Sequence, residues 1–311
     1  MAFRLTEDQE ALAAGVRDYL AGTHGTDVLR RLDQQERPRD PAIWQGLVEM
    51  GLTGLLAPEA QGGMGLGLVE GALVAREAGR ACLAEPLVDT ALVAVPWLAA
   101  HDRVEEIGAI VAGDRTVPLA HAANGWTADG TGEPLDSVDP LRLLARSTQP
   151  ASDDPLLLDL GALMGAAQLI GIGEAMRDQA TDYAKLRKQF GQPIGAFQAV
   201  KHHLANCAVA LEFAWPVVLR AADAMQTRIA SAPLHVSHAR LAAGDAAWLT
   251  AETAIQVHGA MGYTYEVDLH FWMKRCWALV GAWGDRNFHY HRMEAALLDG
   301  AHPIGPEHSF A

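Results

Sequence analysis

Apolar residues recur every three or four positions over most of the chain, the spacing of helices with one buried face. Leu5, Leu12, Val16 and Leu20 share such a face, and Thr6 followed by Gln9 has the spacing of a capping box. Ile43, Leu47 and Met50 predict a second helix that stops at Gly51. Residues 58–68 carry too many glycines to be anything but a loop, and an Ala- and Leu-rich helix is expected over 69–82. From about residue 160 the helical pattern lengthens. Residues 163–186 hold Gly165, Ala166, Ala167, Gly171 and Gly173, small side chains that let helices approach closely. Phe197, Val200, Leu204, Cys207 and Leu211 then form one apolar stripe, with Lys201, His202, His203 and Asn206 off it. A further helix is expected over 235–258, and another from near Leu269. Long helices in succession predict an antiparallel bundle.

The middle of the chain breaks this pattern. Gly, Pro, Asp, Thr and Ser crowd residues 117–159, where short apolar pieces such as 141–145 suit short strands. Asp153, Asp154 and Pro155 mark the exit. The expected fold is mainly α in three parts: an N-terminal helical domain over 1–116, a reduced β or irregular module over 117–159, and a C-terminal helical bundle over 160–311.

Composition narrows the class. Half of the 311 residues are hydrophobic and a fifth are charged, which excludes a disordered chain. A formal charge of −14 speaks against nucleic acid as a partner, because phosphates require a basic face. No unbroken apolar run approaches a membrane span, the best being 91–100 with Pro96 inside it, so no membrane partner is expected. The opening residues lack the basic-then-apolar order of a signal peptide, and a cytoplasmic location is expected. Cys82, Cys207 and Cys276 are odd in number and far apart, which fits a reducing compartment without disulfides.

Several chemistries lack their motifs. The glycines of 62–67 miss the G-x-G-x-x-G spacing and follow a helix rather than a strand. His235 with His238, and His289 with His291, have no H-E-x-x-H or Cys–His companions, so no metal is expected. No G-x-S-x-G elbow occurs. Two segments stand out. Arg187, Gln189, Phe190 and Gly191, then Phe197 and Gln198, interrupt two helices with a glycine turn. Its structural reading is a helix–turn–helix corner with Arg187 as a solvated terminal charge. Gln256, His258, Gly259, Gly262 and Tyr263 take a helix end into a second glycine turn, which can present N–H groups to an anion.

In this order the two segments resemble the acyl-CoA dehydrogenase family. Its R-x-Q-F-G…F-Q pattern matches Arg187, Gln189, Phe190, Gly191, Phe197 and Gln198. Its Q-x-x-G-G-x-G-Y pattern matches Gln256, Gly259, Gly262 and Tyr263, with Ala260 in place of one glycine. Met50 to Pro58, the Gly62–Gly63 pair and the run from Arg76 to Gly79 extend the likeness to the N-terminal third. The resemblance implies an N-terminal helical domain, a middle β-domain and a four-helix bundle. It also implies FAD at a subunit interface and α,β-desaturation of an acyl-CoA thioester. By the same carry-over Arg187, Gln189, Phe190, Gln198, Gln256, Gly259 and Gly262 are the flavin contacts, a guanidinium being a natural partner for pyrophosphate.

Two departures qualify this. A seven-stranded module needs on the order of 65 residues and about 43 are present. The family's threonine-bearing and G-S-D segments are absent from 117–159. The family's catalytic Glu position falls on Trp283 in most members' arrangement and on Gly161 in the other, and neither can accept a proton. Asp159 and Asp285 are the nearest carboxylates, and no catalytic residue is assigned. Such a chain resembles the short subunits of actinobacterial α₂β₂ acyl-CoA dehydrogenases. That resemblance implies a full-length paralogue supplying the β-domain and the Glu, a CoA thioester substrate of the steroid side-chain kind, and an electron-transfer acceptor. A self-sufficient homo-oligomer using Asp159 or Asp285, and a flavin-free assembly scaffold, remain as alternatives.

Overall fold

The computed structural model describes residues 4–300 except 118, 129–131 and 148–149, together with 302 and 305. Helix α1 (Glu7–Thr23) opens on the expected capping box: Thr6 Oγ1 accepts from the Gln9 N–H at 3.2 Å, and Gln9 Oε1 from the Thr6 N–H at 3.0 Å. It buries Val16 and Leu20. Helix α2 (Thr26–Asp33) was not legible, being short and rich in charge. Helix α3 (Pro41–Glu49) is capped by Asp40 and ends at Gly51, whose φ of 73° is the left-handed turn that glycine allows. The 58–68 loop contains a single 3₁₀ turn at Glu59–Gln61. Helix α4 runs Leu68–Arg80, shorter at its C-terminus than the expected 69–82, because Cys82 turns left-handed at φ 51°.

The apolar run around Pro96 is helical too. A π-helical stretch, Val88–Ala94, passes into α5 (Val95–Ala100), then α6 (Val104–Val111). Proline lacks an N–H donor, and the wide turns ahead of it absorb the broken ladder.

In the middle, β1 (Trp126–Thr127), β2 (Glu133–Leu135) and β3 (Leu144–Arg146) form one small antiparallel sheet in the order β1-β3-β2. The strand lies at the end of the expected 141–145 piece, because Leu141 is held in a turn by the Asp139 carboxylate at 3.1 Å. Arg275 anchors this module from below. It pairs with buried Asp139 and donates to the Leu83 carbonyl at 2.7 Å.

Helix α7 (Pro155–Leu186) starts ahead of the expected residue 160. Asp154 caps it, accepting from the Leu156 N–H at 2.8 Å, and Pro155 suits the first turn. A short hairpin, β4 (Lys188–Gln189) and β5 (Gln192–Pro193), leads to α8 (Gln198–Gln226). Helices α9 (Ala232–His258), α10 (Leu269–Val280) and α11 (Arg286–Leu298) complete the bundle, with α7 at its centre. The small residues act as expected: a Cβ on Gly171 would overlap the Arg76 carbonyl, and one on Gly79 would overlap that of Gln168. Arg76 and Arg80 both pair with Glu174 across this α4–α7 contact.

Both α7 and α8 are long and apolar enough, by length and composition, to cross a membrane. Counting unbroken runs overlooked them, since Asp159, Gln168 and Glu174 punctuate α7. The apolar window of α7 is 94% buried as bundle core, whereas that of α8 is only 28% buried. Cys207 and Leu211 of the predicted stripe face inward, while Val209 and Phe213 form a second apolar row that faces out. All three cysteines are free and buried.

Candidate functional site

Arg187 leaves α7 in extended conformation. Its N–H donates to the Tyr183 carbonyl and its own carbonyl accepts from the Ile194 N–H, both at 2.8 Å. These bonds close the hairpin, with Gln189 opposite Gln192. The two tip residues, Phe190 (φ 51°) and Gly191 (φ 81°), both lie left-handed, as a two-residue I′ turn requires. Glycine adopts this freely, whereas a phenylalanine is strained there. Phe190 is also 91% exposed, its ring meeting the edge of Phe197 at 6.1 Å between centroids.

The second motif ends α9. Gly259 sits at φ 61°, ψ −137°, a region essentially restricted to glycine. Gly262 is buried, and a Cβ there would come within 2.9 Å of the Ile255 carbonyl. Tyr183 and His258 hold the two motifs beside each other, their rings stacked at 4.3 Å. His258 Nδ1–H donates to the Ala254 carbonyl at 2.8 Å, and burial pushes its pKa down, which keeps the ring neutral.

Between the motifs lies a cleft of about 680 Å³. Of the seven sequence-predicted contacts, Gln189, Phe190 and Gln256 line it. Arg187 at the hairpin base and Gln198 at the start of α8 are exposed but do not line it. Gly259 caps α9, and Gly262 lines a neighbouring cavity of about 190 Å³ instead. Leu249, Glu252 and Thr253 line the cleft and were missed. They follow from Gln256 by helical spacing alone.

A second feature lies where the bundle meets the middle module. Gly161 and Trp283, the two positions reached by counting, meet in space: a Cβ on Gly161 would overlap the Trp283 indole. The indole is 4% exposed and abuts Trp126 edge-on at 6.0 Å. Its backbone is left-handed at φ 57°, strain that fixed partners sustain. The Trp283 N–H donates to Asn124 Oδ1 at 2.6 Å, and its carbonyl accepts from His289 Nε2–H at 2.9 Å. Beside the indole, between the 88–94 helical stretch and the module, a small cavity of about 10 Å³ is lined by Asp89, Thr90, Trp126 and Trp283. That is room for a single water at most.

The two nearby carboxylates are engaged. Asp159 forms a two-pronged pair with Arg292, one prong at 3.0 Å. Asp285 caps α11, accepting from the Phe288 N–H at 2.8 Å.

The chain belongs to the acyl-CoA dehydrogenase family: residues 6–101 match its N-terminal domain and 156–297 its C-terminal domain. Members are FAD-dependent oxidoreductases acting on a CH–CH bond of acyl-CoA. The chain is 35% identical over 295 residues to the acyl-CoA dehydrogenase IpdE2 of Mycobacterium tuberculosis (strain ATCC 25618 / H37Rv), covering 86% of this chain and 91% of the relative. Among solved structures it resembles the ChsE4-ChsE5 complex from Mycobacterium tuberculosis, with a TM-score of 0.81 at 23% identity, over 98% of this chain and 100% of that one. A variant of the Tcur3481-Tcur3483 steroid ACAD gives 0.84 at 23%, over 95% and 99%. These two likenesses establish the fold.

Proposed function

We propose that this chain is the non-catalytic subunit of a heteromeric acyl-CoA dehydrogenase, lending its hairpin and glycine turn to FAD held largely by a full-length partner. The carrying observation is the Gly161–Trp283 contact, in which neither residue can take up a proton and the indole occupies the space beside α7. When bound, FAD supplies the acceptor for the hydride that leaves the β-carbon. The exposed surface made by the hairpin, the cleft and the glycine turn suits its outer, nucleotide end. Arg187 would pair with a phosphate, Gly259 leaves its backbone open to close approach, and Phe190 offers an exposed aromatic face. The small cavity beside Trp283 does not fit a flavin ring system. Removal of the α-proton then falls to a carboxylate of the partner.

The bare α8 face supports assembly, since monomeric proteins rarely leave such a patch uncovered. The steroid ACAD and ChsE4-ChsE5 likenesses favour a heteromer acting on a steroid side-chain CoA thioester. Expressed by itself, the chain should purify without flavin; co-expressed with a full-length paralogue, it should yield a yellow, active complex. In that complex Arg187→Ala should weaken FAD retention by about 1.5–3 kcal/mol, the size of a charge-assisted hydrogen bond. Stoichiometric FAD and turnover from the chain alone would establish instead a self-sufficient enzyme using Asp159 or Asp285. A complex that forms without flavin would establish a scaffold.

A further inference from the structure

A cavity of about 550 Å³, separate from the cleft, lies between α9, α10 and α11. Leu241, Trp248, Trp277 and Val280 give it apolar walls, and Arg240 reaches it from α9. Arg240 is 4% exposed. Its Nη2 donates to the carbonyls of Leu279 and Ala282, the latter at 3.0 Å, while Nε is buried without a partner. Among the described residues no carboxylate pairs with it. Asp245, on the same wall, is held by Arg286 at 3.0 Å, and Asp285 caps α11. Burial pushes Arg240 down to about 10, so the guanidinium stays charged at neutral pH. Gly244 leaves the approach open: a Cβ there would meet nothing closer than Arg240 Nη1 at 3.8 Å.

A buried charge without a counter-ion is costly, and an anion arriving from the cavity would relieve that cost. Asp245 and Asp285 beside it disfavour a second negative charge on the ligand. The volume falls within the range of small-molecule sites, and two tryptophans in the walls, Trp248 and Trp277, favour a rigid apolar body. We propose that this cavity binds an apolar, ring-containing monocarboxylate whose carboxylate meets Arg240. The site does not depend on the subunit reading.

Calorimetric titration of the full chain with cholate and with its neutral methyl ester tests this. Cholate should bind about tenfold or more tightly than the ester, and Arg240→Gln should erase that preference. Gly244→Leu keeps Arg240, improves helix propensity and fills the space, so it should abolish binding of both. Equal affinity for acid and ester, or binding that survives Gly244→Leu, would overturn the proposal. So would displacement of cholate by ADP, which would assign the cavity to a nucleotide.

Discussion

Gly161 and Trp283 share one volume, and their energies should be coupled accordingly. Truncating Trp283 to Ala opens a cavity and should cost about 3–5 kcal/mol. Adding a methyl at Gly161 forces the indole aside and should cost about 1–3 kcal/mol. The double variant should be more stable than the sum predicts, because the new methyl enters the space the indole vacates. Urea midpoints for the four proteins measure this, and simple additivity would show that the two sites do not share the space. Both positions were singled out in the sequence, as the two places where the family resemblance puts a Glu. Their meeting was not, since they lie on α7 and beyond α10, far apart in the chain, and only packing brings them together.

At the scale of elements, the hairpin carries its strain at its most exposed residue. Phe190 holds a left-handed backbone with almost no burial to compensate, which costs about 1–2 kcal/mol. Asparagine tolerates that conformation, so Phe190→Asn should raise the stability of the isolated chain by about 1 kcal/mol. The same change should lower FAD retention in the complex, if the ring faces the nucleotide as proposed. Chemical denaturation and flavin content after gel filtration check the two halves. The segment was visible as a break between helices, but its hairpin was not, because β4 and β5 have two residues each and no alternation to read. The outer row of α8 was hidden for a different reason: one apolar stripe satisfied the helical pattern, and nothing in spacing distinguishes a face covered by the same chain from one left bare.

For the whole molecule, two buried histidines tie stability to pH. His24 and His289 are both pushed from 6.5 down to about 4, first by burial. The unfolded chain takes up these protons near pH 6.5, while the folded one resists until about 4. Stability from these groups is therefore complete above about pH 7 and falls as pH drops through that window, by roughly 3 kcal/mol each at the acid limit. Urea midpoints at pH 7.5 and 5 should differ in that direction, and His289→Gln should reduce the difference. An unchanged slope would show that His289 is not held neutral. This histidine also receives Ser237 Oγ at 3.1 Å while donating to Trp283, so acid should loosen the surroundings of Trp283 first.

The sequence by itself determined the helical elements with strong periodicity and the family, because each resides in residue identity or short spacing. It also located every member of the two glycine motifs. Only the tertiary structure decided which of those residues share a cleft, that Gly161 and Trp283 meet, and that Arg240 lies buried against an apolar cavity. These are consequences of contacts between distant elements, which depend on how side chains fill volume, and volume is not written in local pattern.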